Sequence, residues 1–179
     1  PTTSTIFYRC ARLSAGRLVQ VDTVDKATRS KIMSRIGPKN TGPEVVLRKS
    51  LHRLGLRYRL HDKQLPGKPD IVFPKFRAVV FVHGCFWHRH GCKLSSMPST
   101  NVDYWRNKFK QNTARDKRHS KALQAAGWRV AVVWECALKS KGKGKGKDRG
   151  TDADQVAKQV RTWLHTKSAS YTVSKSPKQ

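Results

Sequence analysis

Acidic residues are scarce: 11 of 179 are Asp or Glu, against 38 Lys and Arg, a formal net charge of +27 at pH 7. That much charge of one sign repels itself in a compact fold, and a polyanionic partner is the expected remedy. Long apolar runs are missing too. The longest, such as Ala78 to Val82 and Val130 to Trp134, fall far short of the roughly 20 residues a spanning helix needs, which argues against a membrane protein. No signal-peptide pattern opens the sequence and no internal repeat runs through it. The four cysteines, Cys10, Cys85, Cys92 and Cys136, are therefore expected in a reducing compartment, where close Cys and His clusters more often hold metal than form disulfides. What is present, 37% hydrophobic and 8% aromatic residues at a mean hydropathy of -0.67, suffices for one domain with tails.

The charge is unevenly spread. Residues 26 to 137 hold 24 basic and 6 acidic side chains, a body of +18, and residues 138 to 179 hold 11 basic and 3 acidic. The Lys and Gly alternation from Lys139 to Gly150 cannot build a core and reads as a solvated linker able to touch phosphates without specificity.

Patterning gives the architecture. Asp25 to Ile36 reads as a short basic helix. Thr41-Gly42-Pro43-Glu44 is a capping box opening a second helix through Val46, Leu47, Leu51 and Leu54, which Gly55 can end. Leu56 to Leu60 alternates as a strand, and Leu65-Pro66-Gly67-Lys68-Pro69 is a turn. Asp70 to Phe73 and Phe76 to Val82 read as two strands joined at Pro74-Lys75. Asn101 can cap a long helix to about Ala126, Trp128 to Trp134 has the apolar character of a buried strand, and a last amphipathic helix carries Val156, Val160, Trp163 and Leu164. The central order is α-β-β-β-α-β.

Metal-assisted phosphodiester hydrolysis needs a hard cation and therefore carboxylate or carbonyl oxygens. Asp70 opens a strand after Pro69, the next strand finishes near His83, and Glu44 lies on the preceding helix. That layout resembles the PD-(D/E)xK nuclease core, although Phe81-Val82-His83 stands where the pattern has a second carboxylate and a lysine. A lone Pro-Asp pair also opens ordinary strands and turns, so Asp70 is read here both as metal ligand and as turn former.

Cys85-x4-His90-x-Cys92 places three good zinc ligands close together, and Cys136 follows a buried strand that can run beside them. Three thiolates and an imidazole make a closed tetrahedral site with no place for water, so such a zinc is structural. The rival is a Cys85 to Cys92 disulfide with Cys136 free, and His88 could replace His90. Asp116, in a basic helix, reads first as an ion-pair partner and second as a group orienting a histidine. His52, His61, His119 and His165 read as surface or helix-face residues.

The run His83-Gly84-Cys85-Phe86-Trp87-His88-Arg89-His90-Gly91-Cys92, with Asp25-Lys26-Ala27-Thr28-Arg29-Ser30, Leu65-Pro66-Gly67-Lys68-Pro69-Asp70, Gly127-Trp128-Arg129-Val130 and Val133-Trp134-Glu135-Cys136-Ala137-Leu138, resembles the Vsr family, the very-short-patch repair endonucleases of bacteria. Several independent motifs in order over about 110 residues make the resemblance specific. It implies an α/β fold of restriction-nuclease type, a PD-(D/E)xK-like core in which helices flank a central mixed β-sheet, with a structural zinc site. It also implies an enzyme that nicks one strand 5′ of the thymine in a T:G mismatch, the product of 5-methylcytosine deamination.

Residue by residue, the resemblance makes Asp70 the principal Mg²⁺ ligand and the Val82 backbone carbonyl a second. A member of the family has Thr at the position of Val82, a departure that matters little when the carbonyl is the ligand. His88 matches the general base, His83 a second active-site histidine, and Glu44 the acid on the helix facing the metals. Cys85, His90, Cys92 and Cys136 match the structural Zn²⁺ ligands. Phe86, Trp87 and Trp105 match an intercalating wedge, which exploits the cheap opening of a wobble pair, and Met33 and Ile36 match residues approaching the minor groove. The bland readings are core aromatics and a core-facing apolar pair. The implied partner is double-stranded DNA with a T:G mismatch, with mismatch-repair proteins as candidates, bound by a monomer in the bacterial cytoplasm near the nucleoid. The implied division is an extension over 1–24, the endonuclease domain over 25–138, the linker over 139–150, a helix over 151–165 and a disordered tail over 166–179. The rival function is a non-catalytic zinc-containing DNA-binding protein, in which Asp70, His83 and His88 would be superfluous.

Overall fold

The computed structural model describes residues 39–139 and 150–175, together with Asp25, Ala27, Thr28 and Lys31. The chain divides into two units, Pro1–Pro38 and Lys39–Gln179. In the first, Ala27, Thr28 and Lys31 are helical. The Asp25 carboxylate accepts the Thr28 N–H at 2.9 Å and its hydroxyl at 2.6 Å, as an N-cap does. The rest of the expected first helix, with Met33 and Ile36, lies outside the described residues, as does Cys10.

The second unit begins where a capping box starts helix α1 (Gly42–Arg53). The Glu44 carboxylate accepts the Thr41 N–H at 3.4 Å and the Thr41 hydroxyl at 2.8 Å, while Leu47 and Leu51 face the core. At the other end Gly55, at φ +78, lets the Gly55 N–H reach His52 O and the Leu56 N–H reach Leu51 O. These paired bonds satisfy carbonyls that the helix leaves open, and they fold Leu56 back onto Leu51 in the core.

The strands β1 (Arg59–Leu60), β2 (Ile71–Phe73) and β3 (Ala78–His83) pair antiparallel in that order. Helix α2 (Val102–Ala125) then carries the chain to β4 (Arg129–Trp134), parallel to β3. A one-turn helix α3 (Glu135–Leu138) and helix α4 (Gly150–Leu164) lead to β5 (Ser170–Val173), parallel to β4. The result is an α/β fold with one mixed sheet in the order β1-β2-β3-β4-β5.

Side chains alternate across this sheet as strand geometry requires. Ile71, Phe73, Ala78, Val80, Ala131 and Val133 meet α1 and α4 in the larger core, whereas Val72, Val79 and Val130 meet Leu123 of α2 on the other face. With both faces covered, the central strands are nearly continuous apolar runs.

Four sequence expectations change. The strand expected over Leu56–Leu60 shrinks to Arg59–Leu60, because its partner β2 has only three residues before Pro74 and because Leu56 and Tyr58 turn inward. The Tyr58 hydroxyl donates to Arg48 O at 2.8 Å and its ring packs edge-on against Phe73. Asn101 precedes α2 but makes no side-chain cap bond, its backbone lying in the left-handed region at φ 51. The tail expected to be disordered from 166 contains β5, and Lys175 beyond it donates to Lys139 O and pairs with Asp152 at 2.7 Å. The core itself continues past residue 138, since α4 contributes Ala153, Val156, Ala157, Val160, Trp163 and Leu164 to it. Among the described residues no helix is long and apolar enough to cross a membrane.

Candidate active site and metal centre

The Leu65–Lys68 turn, closed by Lys68 N–H to Leu65 O at 3.0 Å, delivers fully buried Pro69 and then Asp70 to the start of β2. Gly67 sits there at φ +77 against the His119 ring, where an added Cβ would approach to 2.8 Å. His119 is thus a packing residue of this turn.

The Asp70 carboxylate receives the Val82 N–H at 2.7 Å from β3. Burial raises its pKa to about 6, with the Glu44 charge adding and the Val82 hydrogen bond and the charges of His88 and Arg48 opposing. Burial without full compensation is the usual way a carboxylate is driven upward.

Glu44 is brought to the same place but is occupied. Besides Thr41 it accepts the Asn40 N–H at 3.0 Å, and Arg48 lies 3.8 Å away. Between Glu44 and Asp70 stands His61, whose left-handed backbone (φ 48) ends β1. Its Nε2 is 3.7 Å from Glu44 and its Nδ1 3.8 Å from Asp70. Sequence reading placed His61 on the surface; the structure half-buries it, its side chain 14% exposed, after the two exposed residues Arg59 and Leu60 of β1. The signal was slight: a histidine in the loop leading to Leu65-Pro66-Gly67.

At the end of β3 the His83 and His88 rings stack at 3.8 Å, 5° from parallel. His88 Nδ1 lies 2.5 Å from Asp116 Oδ2 on α2. Burial and the His88 charge lower His83 to about 3, so its ring is neutral at physiological pH despite the opposing influence of Asp116. Burial raises the Asp116 pKa, but the hydrogen bond and charge of His88 outweigh it and hold the carboxyl below its ordinary range. Asp116 thus pairs with a histidine, the second of its two sequence readings. Its signal was an isolated acid in a strongly basic helix.

Cys85, His90, Cys92 and Cys136 each offer a ligand atom within 4.8 Å of the others. His90 Nδ1 lies 3.5 Å from Cys136 Sγ and 3.9 Å from Cys85 Sγ. The three cysteines are free, so the disulfide alternative is not formed, and His88 is engaged with Asp116 rather than taking the place of His90. Burial, with help from the neighbouring thiols, pushes the Cys85 thiol well up, and burial lowers His90. A cation of the zinc class would reverse the first tendency, since coordination deprotonates thiols outright, and would act with the second, since it binds the neutral imidazole. The Trp134 ring links this cluster to the histidines, stacked on His90 at 4.4 Å and edge-on to His83 at 5.4 Å.

Beside these lies an aromatic group. Phe86 meets Trp87, Trp105 and Phe109 at 5.1 to 5.2 Å, and Trp105 also meets Tyr104 at 5.4 Å. Asn112, buried on α2, holds Trp87 O at 3.1 Å. Phe86, Trp87 and Trp105 are half-buried over buried Phe109, and Tyr104 is exposed. Phe109, Asn112 and Tyr104 carried no signal apart from their helix.

The sequence model of the family described as DNA mismatch endonuclease Vsr matches residues 21–94. A type II nicking enzyme of Xanthomonas oryzae pv. oryzae, V.XorIIP, is 52% identical over 121 residues, covering 68% of this chain and 89% of that protein. The chain belongs to the Vsr family of endonucleases. The Escherichia coli DNA mismatch endonuclease Vsr is 47% identical over 122 residues, 68% of this chain and 78% of that enzyme. The Neisseria meningitidis nicking enzyme V.NmeAIP is 46% identical over 120 residues, 67% and 86%. As a Vsr endonuclease the chain is a DNA-cleaving enzyme. Its described residues hold three groups able to seat a metal: the Cys/His set, His83 with His88 and Asp116, and Glu44 with His61 and Asp70.

Proposed function

We propose that this protein is a magnesium-dependent DNA mismatch endonuclease that nicks one strand 5′ of the thymine in a T:G pair and so initiates repair of deaminated 5-methylcytosine. The observation that supports it best is a largely buried carboxylate, Asp70, within the electrostatic reach of a histidine, His88, whose Nδ1 is engaged by Asp116. Asp70 and the Val82 carbonyl would hold Mg²⁺, and oxygen donors suit that cation. When bound, it supplies positive charge against the scissile phosphate and the departing 3′ oxygen. His88, its Nδ1 committed to Asp116, has Nε2 left to take the proton from the attacking water. Neutral His83, stacked on it, keeps the ring in place and can hydrogen-bond a phosphate oxygen. Glu44 faces the site from α1. The products carry 3′-hydroxyl and 5′-phosphate ends.

Cys85, His90, Cys92 and Cys136 would hold a structural Zn²⁺ that ties the loop after β3 to the start of α3. Phe86, Trp87 and Trp105 form the wedge that senses the mismatch, because a poorly stacked wobble pair opens at lower cost than a Watson-Crick pair. Met33 and Ile36 approach the minor groove. The enzyme acts as a monomer on duplex DNA in the bacterial cytoplasm, with mismatch-repair proteins as candidate partners. End-labelled T:G and matched duplexes, incubated with Mg²⁺, test this. Nicking confined to the thymine-bearing strand of the T:G duplex, abolished in Asp70→Ala while T:G binding persists, is the expected result. Undiminished nicking by Asp70→Ala would remove the proposed centre.

A further inference from the structure

His61 is unexplained by the chemistry above. Its Nε2 is buried and has no hydrogen-bond partner. A buried ring nitrogen without a partner calls for an ion or another polar group. On either side stand two acids, Glu44 and Asp70, at 3.7 and 3.8 Å from opposite ring nitrogens, beyond hydrogen-bond reach. One donor atom from each of the three residues lies within 4.8 Å of the other two. Two carboxylates brought this close repel one another, and a cation seated among the three donors relieves that repulsion.

The acids arrive from separate elements. Glu44 is fixed on α1 by Thr41 through one oxygen and by Asn40 through the other, the oxygen nearest His61, which Arg48 approaches at 3.8 Å and which keeps one lone pair. Asp70 is fixed by Val82 through one oxygen, and its other oxygen faces His61. The donors are therefore held in place by bonds that metal binding need not break.

We propose that His61 is a nitrogen ligand in a divalent-cation seat formed with Glu44 and Asp70, and that this seat takes Mn²⁺ in preference to Mg²⁺. The inference rests on the reading of Asp70 as the cation-binding carboxylate and adds a ligand and a metal preference to it. Imidazole is a good ligand for transition cations, whereas Mg²⁺ is served by oxygen. Two carboxylates also neutralise a divalent charge in a region that is otherwise basic.

The test is Mn²⁺ binding to the full chain as purified, followed by electron paramagnetic resonance, with electron spin-echo modulation to detect a bound nitrogen, and parallel calorimetry with Mg²⁺. Wild type should bind Mn²⁺ more tightly than Mg²⁺ and show ¹⁴N modulation. His61→Ala should lose the modulation and about 10- to 100-fold in Mn²⁺ affinity, with Mg²⁺ affinity little changed. His61→Gln, which keeps the side chain's bulk without the imidazole, should behave likewise, and it serves if the alanine variant fails to fold. Wild type without ¹⁴N modulation, or variants that keep it, would overturn the assignment. Asp70→Ala separates the two ideas: if it abolishes Mn²⁺ binding while the His61 variants match wild type, the His61 ligand falls and the catalytic reading of Asp70 stands. If Asp70→Ala binds both cations like wild type, the underlying reading falls as well.

Discussion

If Asp70 is the proposed cation ligand, its carboxylate is largely buried before a cation arrives and should destabilise the fold, and Asp70→Asn measures by how much. Burial moves the Asp70 pKa from its ordinary 3.8 to about 6. At 1.36 kcal/mol per tenfold change in proton affinity, the ionised form costs the metal-free protein about 3 kcal/mol. The sign follows from linkage. The folded state binds the proton more tightly than the unfolded state, so the contribution of Asp70 to stability falls as pH rises from 3.8 through about 6 and is level above that. Asparagine keeps the amide oxygen for the Val82 N–H and presents its NH₂ to His61, while removing the charge. For a chain of this size about 3 kcal/mol corresponds to a melting point higher by roughly 6 to 12 °C. In buffer without added divalent cation, Asp70→Asn should therefore melt above wild type by that amount at pH 8 and by about half of it at pH 5. Added Mg²⁺ should raise wild type alone, by about 2.7 kcal/mol at a hundredfold excess over its dissociation constant, and so narrow the gap. Differential scanning calorimetry at both pH values decides. A variant no more stable than wild type at pH 8, or a gain that stays constant on acidification, would refute the account of Asp70 as an undercompensated buried charge.

His88→Ala should lose on the order of 10² to 10⁴-fold in nicking rate while keeping its zinc content, and loss of zinc instead would make His88 a ligand. Asp116→Asn, which leaves His88 in place without its anionic partner, should lose about 10- to 100-fold, read in the same nicking assay. Cys136→Ser should release zinc and lower the melting temperature, because metal binding contributes to folding; one zinc per chain by metal analysis would exclude Cys136. Trp87→Ala should weaken binding to T:G duplex by an amount equivalent to about 1 to 3 kcal/mol and matched duplex by less, as paired titrations would show. Equal losses on the two duplexes would return Trp87 to a packing role.

Periodic features were legible in the sequence. The capping box at Thr41 and Glu44, the stop at Gly55, the buried strands around Val79 and Val130 and the crossover helix between them each follow from a local rule, and the structure keeps them. The clustering of Cys85, His90 and Cys92 followed from spacing, and that of Cys136 from strand pairing. What escaped depends on non-local pairing. His61 has no motif of its own and acquires meaning only when β1 sets it against Asp70 and α1 sets Glu44 on its other side. β5 was missed because four residues, Ser170–Val173, between the polar runs 166–168 and 174–179 resemble a tail; its strand character comes from a partner, β4, that would otherwise be an open edge.

That last pairing bears on how the enzyme comes into being. Strand β4 ends beside the histidine pair and the cysteine cluster, yet it is flanked on both sides only once Ser170–Val173 has joined the sheet, and one face of the core waits for α4. A nascent chain that has emerged from the ribosome as far as Cys136 already carries every residue proposed for nicking and for the zinc site but lacks the support that holds them in register. Because parallel pairing across a long connection is slow and must wait for its second strand, cleavage competence should be acquired late in synthesis. A DNA-cutting polypeptide built in this order should be inert while it is still being made.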